Sequence, residues 1–154
     1  MKTKKPFSFY LLLVVVGFQS ISALFGGFSL ITSPNGDTLE MPVSFLKDTP
    51  FTNFLIPGIV LFFLLGVFPI FILAGLYTLK NWRWPEYFNI YKNRHWSWTF
   101  SLYLAIMLIL WIDLQIMWVG YGNLIQTLYA LVGVLILIVT LLPSNMKYFE
   151  KKGK

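Results

Sequence analysis

The chain has 154 residues, of which 57% are hydrophobic and 12% are charged, and it contains no cysteine. Because a typical soluble domain carries about 25% charged residues, this composition excludes a soluble globular class. The missing thiols exclude a disulfide framework and a thiol relay. The net charge of +6 comes from Lys and Arg residues beside apolar segments, which excludes a basic nucleic-acid-binding face.

Four apolar segments follow one another along the chain, and each is long enough to cross a bilayer. They cover residues 7–31, 54–79, 98–118 and 123–142. About 20 helical residues span the ~30 Å hydrocarbon layer, and a helix satisfies its own backbone polar groups there. The sequence therefore predicts an all-α integral membrane four-helix bundle that forms one domain over residues 1–154. The short connection 119–122 predicts that the third and fourth helices form an antiparallel hairpin.

The positively charged residues predict the orientation of this bundle. Of the 12 Lys and Arg residues, Lys47 alone lies in the loop 32–53, and the others lie in the N-terminal tail, the loop 80–97 or the C-terminal tail. Short cytoplasmic loops retain Lys and Arg, so we expect both termini in the cytoplasm and the loop 32–53 outside. The first apolar segment exceeds a signal-peptide core of roughly 7 to 15 residues, so we expect it to be retained as a helix.

Small residues recur at spacings of three and four in the first segment and predict a smooth face for close helix contact. These residues are Gly17, Ser20, Ala23 and Gly27. Ala130 and Gly133 offer a matching strip in the fourth segment. In the second segment Pro69 removes a backbone hydrogen bond, which predicts a bend in that helix.

The loop 32–53 carries a turn signal and a helix-start signal. Ser33-Pro34-Asn35-Gly36 predicts a tight turn, because proline fixes φ and Asn-Gly tolerates positive φ. Asp48 or Thr49 followed by Pro50 has the pattern of an N-cap with proline at the first helical position, so we expect the second helix to begin near Pro50. The apolar side chains between these two signals would rest on the membrane or cover the outer mouth of the bundle.

The loop 80–97 interleaves aromatic and basic residues, as is typical of a segment at the membrane surface. We predict that six aromatic side chains anchor it among lipid headgroups: Trp82, Trp84, Tyr87, Tyr91, Trp96 and Trp98. Pro85 would open a short helix with Tyr87, Phe88 and Tyr91 on one face. The expected partners are membrane lipids and not single-stranded nucleic acid, because the loop joins two membrane segments.

Asp113 is the only charged residue within the four apolar segments. It lies roughly 7 to 8 Å below the end of the third helix, where a carboxylate is expected to face protein or water. Gln126 and Tyr129 return to the same depth on the fourth helix. These three residues form a candidate polar site, in which Gln126, Tyr129 or a water contacts Asp113. Three interpretations stay open: a structural hydrogen-bonded clamp, a proton or substrate site, and a contact with another protein.

A second candidate surface lies on another face of the third helix. Gln115 is two residues from Asp113, about 200° around the helix, and it shares a stripe with Trp111 and Trp118. We interpret this stripe as a candidate protein interface or lipid groove.

The reactive groups of several membrane chemistries are missing from the sequence. His95 is the single histidine, so bis-histidine haem ligation is excluded, and no cluster provides three metal ligands. The sequence has no glycine-rich phosphate loop, no nucleophile elbow and no pair of carboxylates within the apolar segments. We therefore predict no metal, no cofactor and no catalytic residue.

A family resemblance rests on short motifs in residues 26–70. The motifs are Gly26-Gly27, Ser33-Pro34-Asn35-Gly36, Met41-Pro42, Ser44-Phe45-Leu46, Thr49-Pro50-Phe51, Ile56-Pro57-Gly58 and Leu65-Gly66. They resemble a family of small bacterial inner-membrane proteins with four helices, whose overall plan is similar to that of DoxX-like proteins. The resemblance implies a location in the bacterial cytoplasmic membrane, but it carries over no activity and no catalytic residue.

Three functional hypotheses follow from the sequence. The first is non-enzymatic binding of a lipid, of a hydrophobic small molecule, or of another membrane protein as an accessory subunit or homodimer. The second is proton-coupled transport that uses Asp113. The third is a membrane enzyme whose carboxylates come from the outer loop, namely Asp37, Glu40 and Asp48 near Asp113. A deep water-filled cleft would favour transport, whereas a filled bundle with a lipid-facing aromatic groove would favour binding.

Overall fold

The computed structural model describes residues 4–122 and 124–151. Its helices are α1 (Phe7–Thr32), α2 (Leu55–Val60), α3 (Phe68–Thr78), α4 (Arg83–Tyr87), α5 (Trp96–Val119), α6 (Leu124–Leu141) and α7 (Pro143–Tyr148). A π-helical segment, Leu61–Val67, joins α2 to α3. The described residues contain no β-strand, and a single β-bridge pairs Arg94 with Glu150.

Four stretches of helix within this part of the chain are long and apolar enough to cross a membrane. They are Phe7–Thr32, Leu55–Thr78, Trp96–Val119 and Leu124–Leu141. The predicted all-α class and the four long apolar helices are therefore confirmed, with boundaries within two residues of the expected ones. Asn123, the predicted first residue of the fourth helix, lies outside the described residues.

The four long helices pack as an up-and-down arrangement in which chain neighbours are also neighbours in space. Helix α1 packs along Leu55–Thr78 and against α6, while α5 packs against α3 and α6. Their shared core is mostly apolar. It includes Phe9, Leu12, Leu65, Ile72, Leu104, Leu108 and Ile136, all almost fully buried. We call the end of the bundle with α4 and α7 the α4 end, and the opposite end, with residues 33–54, the Trp118 end.

Close contact between α1 and the second span, Leu55–Thr78, depends on Gly27. A Cβ atom built on Gly27 would lie 2.6 Å from the backbone nitrogen of Phe62, whereas one on Gly17 has no neighbour within 4 Å. The predicted close-contact face is thus confirmed at Gly27 and not at Gly17. Gly133 instead faces Ile109 of α5, with its Cβ position 2.8 Å from that side chain. The expected match between α1 and Gly133 is wrong, because α5 occupies that side of α6.

The backbone irregularity of the second span lies one turn before Pro69. Proline lacks an N–H and its ring clashes with the carbonyl four residues earlier, so the preceding turn cannot be a regular α-helix without strain. The π-helical segment Leu61–Val67 widens this turn. Ser20 of α1 donates a hydrogen bond of 2.8 Å from its Oγ to the carbonyl of Gly66, which supplies a partner from the neighbouring helix.

The Trp118 end is closed by the loop that follows α1. Leu30, Leu46 and Phe54 are buried together there. The predicted turn is present, with the Gly36 amide donating to the carbonyl of Ser33 at 2.9 Å.

The predicted helix start at Pro50 is wrong. The Thr49 hydroxyl accepts a hydrogen bond of 3.1 Å from the Phe51 amide, which closes a local turn. The helix begins only at Leu55, whose amide donates to Oδ1 of Asn53 at 3.0 Å.

Candidate functional site

An apolar groove of about 460 Å³ lies between the second span and α5, close to the α4 end. It is lined by Leu64, Phe68, Trp84, Phe88, Phe100, Tyr103, Ile106 and Met107. Leu64 and Ile106 at its rim are 40% and 48% exposed, so the groove opens on the outer surface of the bundle. Its volume falls within the roughly 300 to 1,000 Å³ range of small-molecule sites.

The two walls of this groove are formed by residues that recur at helical spacing on α5 and on the second span. Phe100, Tyr103 and Met107 follow one another at spacings of three and four on α5, so they share one face. Leu64 and Phe68 are four residues apart on the second span. The ring centroids of Phe68 and Phe100 are 5.8 Å apart, so the two walls meet at the bottom of the groove.

Helix α4 forms the roof of the groove and is held in place by aromatic contacts. The Trp84 indole stacks on Phe71 with a centroid distance of 4.7 Å and meets Phe100 edge-on at 6.4 Å. The Tyr103 hydroxyl donates a hydrogen bond of 2.9 Å to the carbonyl of Phe88. The roof is therefore fixed to both walls.

A buried asparagine holds the chain that leaves α4. Asn89 is fully buried, and its Oδ1 accepts hydrogen bonds from the Thr99 hydroxyl at 2.5 Å and from the Tyr91 amide at 3.2 Å. Its Nδ2 donates to the carbonyl of Arg94 at 2.9 Å and to the Glu86 carboxylate at 3.2 Å. Since a buried amide is costly unless it is bonded, this network fixes one conformation of the segment.

The C-terminal segment closes the α4 end from the other side. Lys151 Nζ contacts the Glu86 carboxylate at 2.5 Å, and the Lys151 amide donates to the carbonyl of Asn93 at 2.8 Å. The His95 amide donates to the carbonyl of Phe149 at 2.9 Å. Helix α4 is thus tied to α5 by Asn89 and to the C-terminal segment by Glu86.

His95 caps α5 as a neutral imidazole. Its Nδ1 accepts from the Ser97 amide at 3.3 Å, and its Nε2 lies 3.2 Å from the carbonyl of Lys80. These partners require the tautomer with a proton on Nε2. Burial lowers the pKa of His95 below its ordinary value of 6.5, because desolvation disfavours the charged ring.

The six predicted headgroup anchors do not share one environment. Trp84, Tyr87 and Tyr91 are exposed, as expected of anchors. Trp96 and Trp98 are fully buried, so their prediction as surface anchors is wrong. Their indole nitrogens donate to the carbonyls of Lys80 and Thr140, at 2.9 and 2.8 Å. The two rings point in different directions, and both are buried because the start of α5 is enclosed on all sides, from Trp96 to Leu102.

Trp82 is half-buried and stacks on Trp96 with a centroid distance of 5.3 Å, so it belongs to the buried aromatic cluster. The predicted short helix also differs from the expected one. It starts at Arg83 and ends at Tyr87, which leaves Tyr91 beyond its end.

The predicted polar site at Asp113 is not assembled. Asp113 is exposed, and no hydrogen bond or ion pair joins it to any residue that the structure describes. Gln126 is buried and directs its amide to the turn, where Nε2 donates to the carbonyl of Gly120 at 3.3 Å. Tyr129 packs against the shared core of the four long helices. The expected contact of Asp113 with Gln126 or Tyr129 is therefore absent, because the helices turn these side chains in different directions.

The predicted stripe of Trp111, Gln115 and Trp118 is half-buried and does not form an open groove. Trp118 meets Phe51 of the loop edge-on, with a centroid distance of 5.7 Å. Trp111 packs against the main core, with its Nε1 buried and without a hydrogen-bond partner in the described structure. The loop 33–54 thus covers part of the surface that was predicted to be a groove.

The outer-loop carboxylates do not form a site. Asp37 accepts a hydrogen bond from Asn35, and Asp48 lies 4.0 Å from Lys47 at an exposed position. Across residues 4–122 and 124–151, no group of three or more His, Cys, Asp or Glu side chains is arranged to hold a metal ion. These acids are also not joined to Asp113 by any hydrogen bond within the described ranges.

The groove itself was not predicted from the sequence. The spacing of Phe100, Tyr103 and Met107 is a signal for one helix face, but any buried or lipid-facing stripe of a membrane helix has the same spacing. The return of Trp84 and Phe88 over that face is a tertiary feature.

Comparisons with protein-family models, curated proteins and solved structures give no match to this chain. The resemblance to DoxX-like proteins stays a prediction.

Proposed function

We propose that this protein is a multi-pass protein of the bacterial cytoplasmic membrane, with both termini in the cytoplasm, that binds a membrane lipid through one acyl chain. The observation that carries the proposal is the groove of about 460 Å³ with its wholly apolar lining. Its place on helices that are long and apolar enough to cross a membrane supports an occupant taken from the bilayer. The distribution of Lys and Arg residues supports the orientation.

Basic residues beside the roof support an anionic headgroup on this lipid. Lys80 and Arg83 are exposed close to Trp84 in the chain. In the proposed orientation they lie on the cytoplasmic side, where cations at the surface attract anionic lipid. The acyl chain would then lie under Trp84 and Phe88, with the headgroup beside α4.

Binding is favoured over transport by the filled interior. The core between the four long helices is occupied by side chains with almost no exposed surface, among them Leu65, Leu104 and Ile136. Asp113, the carboxylate on which transport would depend, is exposed on the outside of α5. Asp113 does not line the apolar groove between the second span and α5.

Photo-crosslinking in membranes tests this function. The full chain is reconstituted with a phospholipid that carries a diazirine on its acyl chain, and the crosslinked residues are mapped by mass spectrometry. We expect crosslinks concentrated on Phe68, Phe100, Tyr103 and Met107. Crosslinks spread evenly over all exposed faces of the four helices would contradict the proposal.

A matched pair of substitutions separates the groove from the rest of the lipid-facing surface. Leu64 lies at the groove rim, 40% exposed, and Leu128 lies on α6, 48% exposed. They sit at similar depth, 14 residues before Thr78 (78 minus 64) and 13 before Leu141 (141 minus 128). Leu64→Trp fills the groove and should lower crosslinking about tenfold, a loss of about 1.4 kcal/mol. Leu128→Trp should leave crosslinking unchanged.

A further inference from the structure

Asp113 presents a carboxylate on the outside of a helix that is apolar enough to cross a membrane. It lies six residues before Val119, the last residue of α5, which is about 9 Å along the helix axis. It is the only charged residue in the four long helices. Its side chain is exposed and unpaired within the described structure.

The surroundings of Asp113 on α5 are apolar. Ile106, Leu110 and Met117 share its side of the helix and are 48%, 55% and 68% exposed. These positions follow the three- and four-residue spacing of one helix face. We call Ile106, Leu110, Asp113 and Met117 the Asp113 face. The Asp113 face is therefore an apolar surface that carries a single carboxylate.

A carboxylate on such a face would be stabilised by a partner from outside the chain. Charged side chains within membrane helices almost always face the bundle interior, a water-filled cavity or an opposite charge. Asp113 does not face the interior, and its short side chain lacks the long stem that lets Lys and Arg reach the membrane surface. An opposite charge on another helix would pair with the carboxylate where it stands, on the outside of α5.

The charge of the chain decides what kind of partner fits. A two-fold dimer through the Asp113 face would place a second Asp113 opposite the first, because symmetric interfaces use the same patch on both copies. The four long helices contain no Lys or Arg, so a second copy has no opposite charge to offer at this depth.

We propose that the Asp113 face binds a membrane-spanning helix of a different protein that carries a Lys or Arg residue facing Asp113. The apolar residues of the face supply van der Waals contacts, and the ion pair supplies specificity, as polar contacts do between membrane helices. This interface is separate from the acyl-chain groove, apart from Ile106 at the groove rim.

A model peptide provides a defined probe for this interface. The full chain is labelled with a donor fluorophore at Lys47→Cys, which is a unique thiol because the chain has no cysteine. It is reconstituted into phosphatidylcholine vesicles with an acceptor-labelled polyleucine helix of about 21 residues, long enough to span the bilayer. One peptide carries a single lysine six residues from one end, which matches the depth of Asp113, and the matched peptide carries leucine there. Energy transfer measures association.

We expect the lysine peptide to bind about tenfold more tightly than the leucine peptide. Asp113→Asn and Asp113→Leu should each reduce this ratio to about one, while Glu40→Gln, which removes a loop charge, should leave it at about tenfold. Equal binding of both peptides by the parent chain, or a preference that persists in both Asp113 variants, would overturn the proposal. So would energy transfer between two copies of the chain that disappears in Asp113→Asn, because the occupant would then be a second copy.

These outcomes are independent of the lipid groove. The Asp113 variants leave Leu64, Phe68 and Phe100 unchanged, so acyl-chain crosslinking should stay at the parent level in them. A loss of lysine preference with crosslinking retained would show that each site acts alone.

Discussion

A methyl group added at Gly27 should separate α1 from the second span. The Cβ of Gly27→Ala would lie 2.6 Å from the backbone nitrogen of Phe62 and 2.7 Å from its Cα. Unstrained contacts between carbon atoms are about 3.5 to 4.0 Å, so the two helices must move apart by about 1 Å at this point. The obstacle is helix backbone, which cannot rotate out of the way as a side chain can.

The expected cost follows from this geometry. Overpacking of a well-packed interface typically costs about 1 to 3 kcal/mol. Gly17→Ala is the matched control, because it lies on the same helix and its Cβ would have no neighbour within 4 Å. Both substitutions gain the same intrinsic helix propensity, up to about 1 kcal/mol. The difference between them therefore isolates the contact with Phe62.

Unfolding in mixed micelles measures this difference. The fraction of folded protein is followed by far-UV circular dichroism and tryptophan fluorescence as the mole fraction of SDS rises, and the free energy of unfolding is obtained for each variant. We expect Gly27→Ala to be about 1 to 3 kcal/mol less stable than Gly17→Ala. If Gly27→Ala is as stable as Gly17→Ala, the close contact between α1 and the second span is refuted.

Two further predictions concern the α4 end and the orientation of the chain. Because burial lowers the pKa of His95, the unfolded chain binds the proton more readily, so stability should be full above pH 6.5 and should fall as the pH drops below it. His95→Asn, which keeps a capping acceptor, should remove this part of the pH dependence in SDS unfolding titrations. In intact bacteria an impermeant maleimide should label Lys47→Cys, while Lys92→Cys should react only after permeabilisation. The reverse labelling pattern would contradict the proposed orientation.

The number and length of the helices could be read from the sequence because they depend on local properties. In an apolar run long enough to cross a bilayer, each backbone amide must find its hydrogen-bond partner within the same segment, and a helix is the structure that provides this. Four such runs therefore predict four helices. The third and fourth helices likewise had to form a hairpin, since only a few residues connect them.

The direction of individual side chains depended on the tertiary structure. Trp96 and Trp98 are residues of the type that anchors a chain at the membrane surface, yet the segments packed around the start of α5 bury both rings. Asp113 was expected to find a partner on α6, but Gln126 binds the turn at Gly120 instead. In each case two different groups of residues were available as neighbours of the side chain. The sequence of its own helix does not show which group it contacts.

The physical reason is that the long helices are apolar on both their buried and their exposed sides. In a soluble protein the polar side of a helix identifies the surface, because water and core demand different residues. On a helix of the present kind both sides are apolar, since lipid tails are as apolar as leucine. The sequence by itself therefore determined that four long helices form and placed the ends of their apolar segments to within two residues, although the Pro50 signal predicted too early a start for the second helix. Only the tertiary structure decided which faces meet, which places the groove under Trp84 and leaves Asp113 outside.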